Sequence, residues 1–304
     1  MSINVRSGDS LTSILQRVGN AVKDIAKPAS APQTASAGQS GQAQTRVPGW
    51  DGTSSFEGSG STQGPAGTRQ TAAPAPTPTA ARPDLGQIQR DYQVQDDQTT
   101  KWSPKAVGLI PIPFTGEFTI TKTEAKMLDG LSVSRGLVGL NTFNNIKDQA
   151  FEVSDRLYPN PGSTPGHVPA DRQREWLGND GHRDAFRHAY WNALMTKEFG
   201  ADWTKQFATA HEGLPGNPAT REAMDLYNNE VGRQIAIANP NASAEELATL
   251  VQQAVTDGKT VVLDRGGQLQ WSDRVPYGQH GLTDKKPGVG GQPLPDGNAS
   301  ADQY

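Results

Sequence analysis

From Pro28 to about Pro83 the chain is built of Ala, Pro, Gly, Ser, Thr and Gln with almost no apolar spacing. That stretch limits everything else, because a segment that cannot bury apolar surface does not offset the entropy lost on ordering. Residues 28–107 therefore read as a disordered linker, with a marginal helix somewhere in Asp84–Thr100 and two isolated aromatics, Trp50 and Phe56. Whatever folds lies after it. Hydrophobic residues are only 34% of the 304, but the 33 Gly and 22 Pro crowd the first hundred residues and the last twenty-five, so the middle can still bury a core. The expectation is a mainly α fold: a single helical domain of about five to six helices over 108–275, with a small C-terminal β-hairpin, and then a disordered tail over 276–304.

Charge and composition exclude several functions. The net charge is -4. The first hundred residues carry eight basic and eight acidic side chains, so the remainder carries the whole imbalance. No cluster of Lys and Arg invites a phosphate backbone, and no nucleic acid is expected as a partner. The absence of cysteine excludes disulfides, thiolate metal sites and a Cys nucleophile. No apolar run approaches the ~20 residues of a membrane-spanning helix, so an integral membrane protein is not expected. Met1–Asn20 lacks the layout of a secretory signal peptide, so export would take another route.

Caps and breakers divide the middle of the chain. Leu109–Phe114 carries two prolines and reads as an extended entry segment. Thr121 with Glu124 is a capping box that opens a helix expected to stop at Gly130. Asn141–Tyr158 keeps Phe143, Ile146, Ala150, Val153 and Leu157 on one stripe. Asp171–Leu177 is one helical piece. Asp180 is expected to cap a long helix through Phe199, and Asp202 another through Glu212. Asn217, with Pro218 at the first helical position, opens a helix to about Ala238. Ser243 with Glu246 opens one to Gly258, and Thr260–Trp271 reads as the hairpin.

Three of the five histidines fall in the thirty residues from His182 to His211. Wound at ~100° per residue, Asp184, His188 and Asn192 fall on one i, i+4 line beside the apolar arc of Ala185, Phe186, Ala189 and Ala193. Asp184 is placed to orient the ring of His188. His182 winds to the centre of the apolar face, and His211 to the inner face of the next helix. Glu212 winds outward, at a helix end where the chain can redirect it. Asn228 sits on the apolar line of Met224, Val231 and Ile235, and Gly232 lets another backbone approach. Arg221, Asp225, Asn229 and Arg233 form an i, i+4 ladder, which also fits a surface row of ion pairs.

Imidazoles and carboxylates in this number suit zinc. The expected metal ligands are His188, His211, His182 and Asp225; Glu212 and Asp184 are the catalytic candidates, and Asn192 and Asn228 are supporting residues. The rival reading is a polar network that locks three helices together.

Two resemblances add to this. Arg187-His188-Ala189-Tyr190-Trp191, Ala210-His211-Glu212 and Asp225-Leu226-Tyr227-Asn228-Asn229-Glu230-Val231-Gly232 resemble an uncharacterised bacterial domain of unknown function, mainly helical, over about Phe118–Ala238. Ile3–Gly19, a short strand and then a helix capped by Ser10 with Leu11, Ile14, Leu15 and Val18 in helical spacing, resembles the first half of a LysM module within residues 1–27; the plainer reading of that segment is a free amphipathic helix. A LysM-like start joined to such a domain is similar to the layout of bacterial cell-wall-active proteins and implies the bacterial cell wall or envelope as partner and substrate. With the metal-ligand candidates above, the expected activity is a metal-dependent hydrolase of peptidoglycan or lipid. A secretion machinery that reads the leader is compatible with it. The alternative is a non-catalytic envelope-binding adaptor.

Overall fold

The computed structural model describes residues 82–106, 110–111 and 117–284. The LysM-like start and most of the linker lie outside the described residues. The fold is mainly helical. Helix α1 is Leu85–Asp91, α2 is Lys122–Leu157, α3 is Gln173–Gly178, α4 is His182–Phe199, α5 is Ala201–Glu212, α6 is Ala219–Ala238 and α7 is Ala244–Thr256. Short antiparallel pairs accompany them. Strand β1 (Thr99–Trp102) pairs with β4 (Phe118–Thr121), and β2 (Lys105–Ala106) with β3 (Ile110–Pro111). The hairpin of β5 (Val261–Leu263) and β6 (Leu269–Trp271) sits where the sequence places it.

Helix α4 is the axis of the domain. It packs against α2, α5, α6 and α7, and every side chain from Ala185 to Thr196 is buried. One apolar cluster joins α4 to α2 and α5 through Phe143, Trp191 and Phe207, and a second joins α4 to α6 and β5 through Ala185, Met224 and Val261. Helices α4 and α6 cross at Gly232. A Cβ there would stand 1.9 Å from the carbonyl oxygen of Ala189, so only glycine permits this contact. The two helices meet along polar as well as apolar rows, and this crossing sets the spacing of the site.

Several boundaries differ from expectation for local reasons. The folded unit starts before residue 108. Ile88 of α1 is buried in the second cluster with Leu85 and Tyr92 packed beside it, a stripe too short to read as periodic. It also ends after 275, because the ring of His280 stacks on Trp176 at 4.8 Å. The capping boxes at Thr121 and Ser243 form. Helix α2 runs through Gly130 and breaks instead at Gly136, whose φ of 63° leaves the helix. Gly181, Gly200 and Pro218, not Asp180, Asp202 and Asn217, stand at the N-caps of α4, α5 and α6. Asp180 is diverted by a buried arginine, as described below.

Candidate metal centre

The site lies where α4, α5 and α6 face one another. His188 projects from the middle of α4. Its Nε2 is 3.4 Å from Asp184 Oδ1, one turn earlier, and 3.7 Å from Asp225 Oδ1 on α6. Its Nδ1 is 3.2 Å from Asn229 Oδ1 and 3.5 Å from Glu212 Oε1 at the end of α5. One ligand atom from each of Asp184, His188 and Asp225 lies within 4.8 Å of the others, so a single ion can meet all three.

Burial gives these groups unusual proton affinities. His188 is pushed down to about 4, by burial first, with Asp184 opposing and Arg187 and His211 adding to the shift; its ring is therefore neutral at pH 7. Burial pushes Asp184 up, but Arg187, His188 and the Asp180 N–H outweigh it and hold the carboxylate below its ordinary value. Asp225 is driven well above the ordinary carboxylate range by burial and then by the charges of Asp184 and Glu212. Glu212 is raised to about 7 by burial, with Asp184 and Glu222 adding and His211 opposing. Asp225 is 2% exposed and its Oδ1 makes no hydrogen bond among the described residues. An orphaned buried oxygen of this kind costs about 1–3 kcal/mol.

A second shell of side chains aims the first. The N–H of Asp180 donates to Asp184 Oδ2 at 2.7 Å, and Arg187 donates to Asp184 Oδ1. Asp180 achieves this with a φ of 68°, the one positive φ outside glycine among the described residues. It is held there by Arg221, whose Nε and Nη2 donate to its two oxygens at 2.8 and 2.7 Å, and by Leu263, whose N–H donates to its carbonyl. Asn192 donates to Asn229 Oδ1 at 2.5 Å and accepts from Arg233 at 3.0 Å. The ladder of Arg221, Asp225, Asn229 and Arg233 is therefore the inner face of α6, with all four side chains buried. It is no surface row. Asn229 and Asp180 are the site residues that sequence reasoning passed over. The signal for Asn229 was present in the register of that ladder, whereas nothing local marks Asp180 as more than a cap.

The other expected residues separate. Glu212 does not point outward; it is 1% exposed and accepts from Asn217 at 3.3 Å. His211 donates from Nδ1 to Glu124 Oε1 at 3.0 Å and meets Trp191 edge to face. Burial opposes a charge on His211, but the hydrogen bond and charge of Glu124 outweigh it and raise its pKa. His182 lies apart, donating to the carbonyl of Ser272 at 2.9 Å and stacking on Tyr158. Asn228 clamps β5, exchanging hydrogen bonds with the main chain of Val261 at 2.9 and 3.0 Å. His188 and His211 both line a crevice of about 20 Å³ with Lys147, Ala150, Phe151, Arg187 and Trp191, room for one water.

Residues 133–259 match the family model of a domain of unknown function, DUF6973. The match covers α4, α5 and α6, and with them the three ligand candidates and Glu212. It extends further toward the C-terminus than the resemblance read from the sequence. No curated protein and no solved structure matches the chain. Among the described residues, no helix is long and apolar enough to cross a membrane.

Proposed function

We propose that the domain is a metal-dependent hydrolase of the bacterial cell envelope. The observation that carries the metal is Asp225, a fully buried carboxylate set beside two others, with an oxygen that makes no hydrogen bond among the described residues and faces a neutral imidazole. A divalent cation held by Asp184, His188 and Asp225 would resolve the crowding of negative charge and use that oxygen. One imidazole and two carboxylates suit zinc or a harder divalent ion, and zinc is the first to test. A bound cation supplies Lewis acidity to water and substrate. Glu212, raised to about 7, is the further buried carboxylate of the site and would take the proton of the attacking water. Its Oε1 stands 3.5 Å from His188 Nδ1, the ring nitrogen opposite the one that faces Asp184 and Asp225. The envelope as substrate rests on the LysM-like start and on nothing in the site.

One observation favours a rival, non-catalytic adaptor whose cluster is structural. Arg233, Asn192 and Asn229 form a continuous chain of hydrogen bonds that would lock α4 to α6 without a ligand. Metal analysis of the purified full chain separates the two. The hydrolase reading expects one divalent ion per chain, lost in His188→Ala with helix content kept, and release of soluble product from envelope fractions. A wild-type chain that binds no zinc, manganese or magnesium in dialysis sinks it in favour of the adaptor.

A further inference from the structure

The crevice beside the cluster has a lining with one chemical character. Lys147, Arg187, Trp191 and His211 bring donors or cations to it, the neutral ring of His188 completes it, and no acid lines it among the described residues. Trp191 is 7% exposed, yet its indole N–H finds no acceptor among the described residues. A buried donor left without a partner costs about 1–3 kcal/mol, and an acceptor brought by a ligand would remove that cost. Arg187 is fixed in place by the carbonyl of Gly178 at 2.9 Å, by Asp184, and by the ring of Phe151 beneath its guanidinium at 5.0 Å. Lys147 pairs with Asp148 at 3.1 Å, itself a half-open side chain. The space is that of a single oxygen atom with its hydrogens, and His188 is the wall it shares with the cluster.

From this lining we infer that the crevice receives a phosphoryl oxygen, so that the substrate cleaved at the cluster is a phosphate ester. This rests on the metal-dependent reading above and narrows its substrate. Lys147 and Arg187 face an oxygen that in a phosphate ester is charged before any bond changes, whereas an amide or carboxylic ester oxygen is charged only in its tetrahedral intermediate and a glycosidic oxygen only as it leaves. Hydrolysis forms a P–O bond from water and breaks the ester P–O bond. The leaving alkoxide takes the proton that water gave to Glu212.

The test uses the full chain, with inorganic phosphate as probe, in calorimetric titrations with zinc present and again in EDTA. Two variants leave the cluster untouched: Trp191→Phe, which keeps an aromatic ring against Phe143 and Phe207 but removes the N–H, and Lys147→Gln. Phosphate is expected to bind one to one, with each variant weakening it about tenfold or more at unchanged helix content and unchanged zinc content. Zinc-loaded chain should cleave bis(4-nitrophenyl) phosphate and not 4-nitrophenyl acetate. Zinc uptake without phosphate binding, or phosphate affinity equal in wild type and both variants, overturns the phosphate pocket and leaves the metal reading standing. Absence of zinc uptake overturns the metal reading and with it cleavage at the cluster, and phosphate that still binds in EDTA with the same dependence on Trp191 then leaves the crevice as a phosphate-binding site alone. Cleavage of the acetate ester but not the phosphate diester also overturns the inference.

Discussion

Asp225 shows how one side chain can separate stability from function. Its carboxylate is buried within the field of Asp184 and Glu212, and one oxygen makes no hydrogen bond among the described residues. Without a cation this arrangement is destabilising. Asp225→Asn replaces the carboxyl by an amide that carries no charge at any pH, at nearly constant volume. In EDTA the variant should unfold at higher denaturant than wild type, by about 1–3 kcal/mol. In zinc the order should reverse, because wild type gains binding energy that the variant lacks. Equal unfolding midpoints for the two chains in EDTA would show that the oxygen is already satisfied. His280 carries a different signal. It is stacked on Trp176 and donates from Nε2 to the carbonyl of Trp176 at 2.9 Å. Burial lowers its pKa below 6.5, outweighing the carbonyls and the charges of Asp180 and Asp184. As pH falls below 6.5 the unfolded chain takes up the proton first, so stability declines toward acid. His280→Phe should be less stable than wild type at pH 8 but lose less between pH 7 and pH 5, which thermal melts at each pH would register.

At the scale of the elements, the α4–α6 crossing is the part most exposed to change. Gly232 lies against the main chain of Ala189, and neither backbone can yield without moving a helix. Gly232→Ala adds one methyl group there and should cost about 1–3 kcal/mol or more, despite alanine's better helix propensity. Because Asp184 and His188 sit on one helix and Asp225 on the other, the same shift should weaken zinc binding even in the fraction that stays folded. Dialysis against radioactive zinc would read that loss, and unchanged affinity would mean the crossing does not set the site. The elements themselves were largely legible from residues 121 to 271. Thr121–Glu124 and Ser243–Glu246 are local signals whose partners lie three residues away, and both formed. Asp180 carried the same kind of signal and did not cap, because Arg221, 41 positions later, claims its carboxylate. A cap competes with every partner the fold can bring, and the chain does not announce those partners in advance.

For the whole molecule, packing rather than composition set the limits of the folded unit. Sequence alone put its start at 108, where Leu109–Phe114 reads as an extended entry segment. Yet Val94 donates its N–H to Glu222, Asp97 donates to the carbonyl of Gly213, and Arg82 pairs with Asp273 at 2.8 Å. Limited proteolysis should therefore leave a fragment that starts near Arg82 and ends near Asp284. A stable fragment starting near Gly108 would mean that these contacts contribute little. Helical periodicity, capping boxes and the i, i+4 spacing of Asp184 with His188 are short-range properties, and the amino-acid order determined them without help. So did the α4 face on which the cluster is built. Which face of α6 turned inward, the rotation that brought Glu212 inside, the pairing of His211 with Glu124 and the retirement of His182 and Asn228 to structural bonds were decided by tertiary structure. Each depends on a contact between helices, and a helix whose polar and apolar rows lie side by side can bury either until its neighbour chooses.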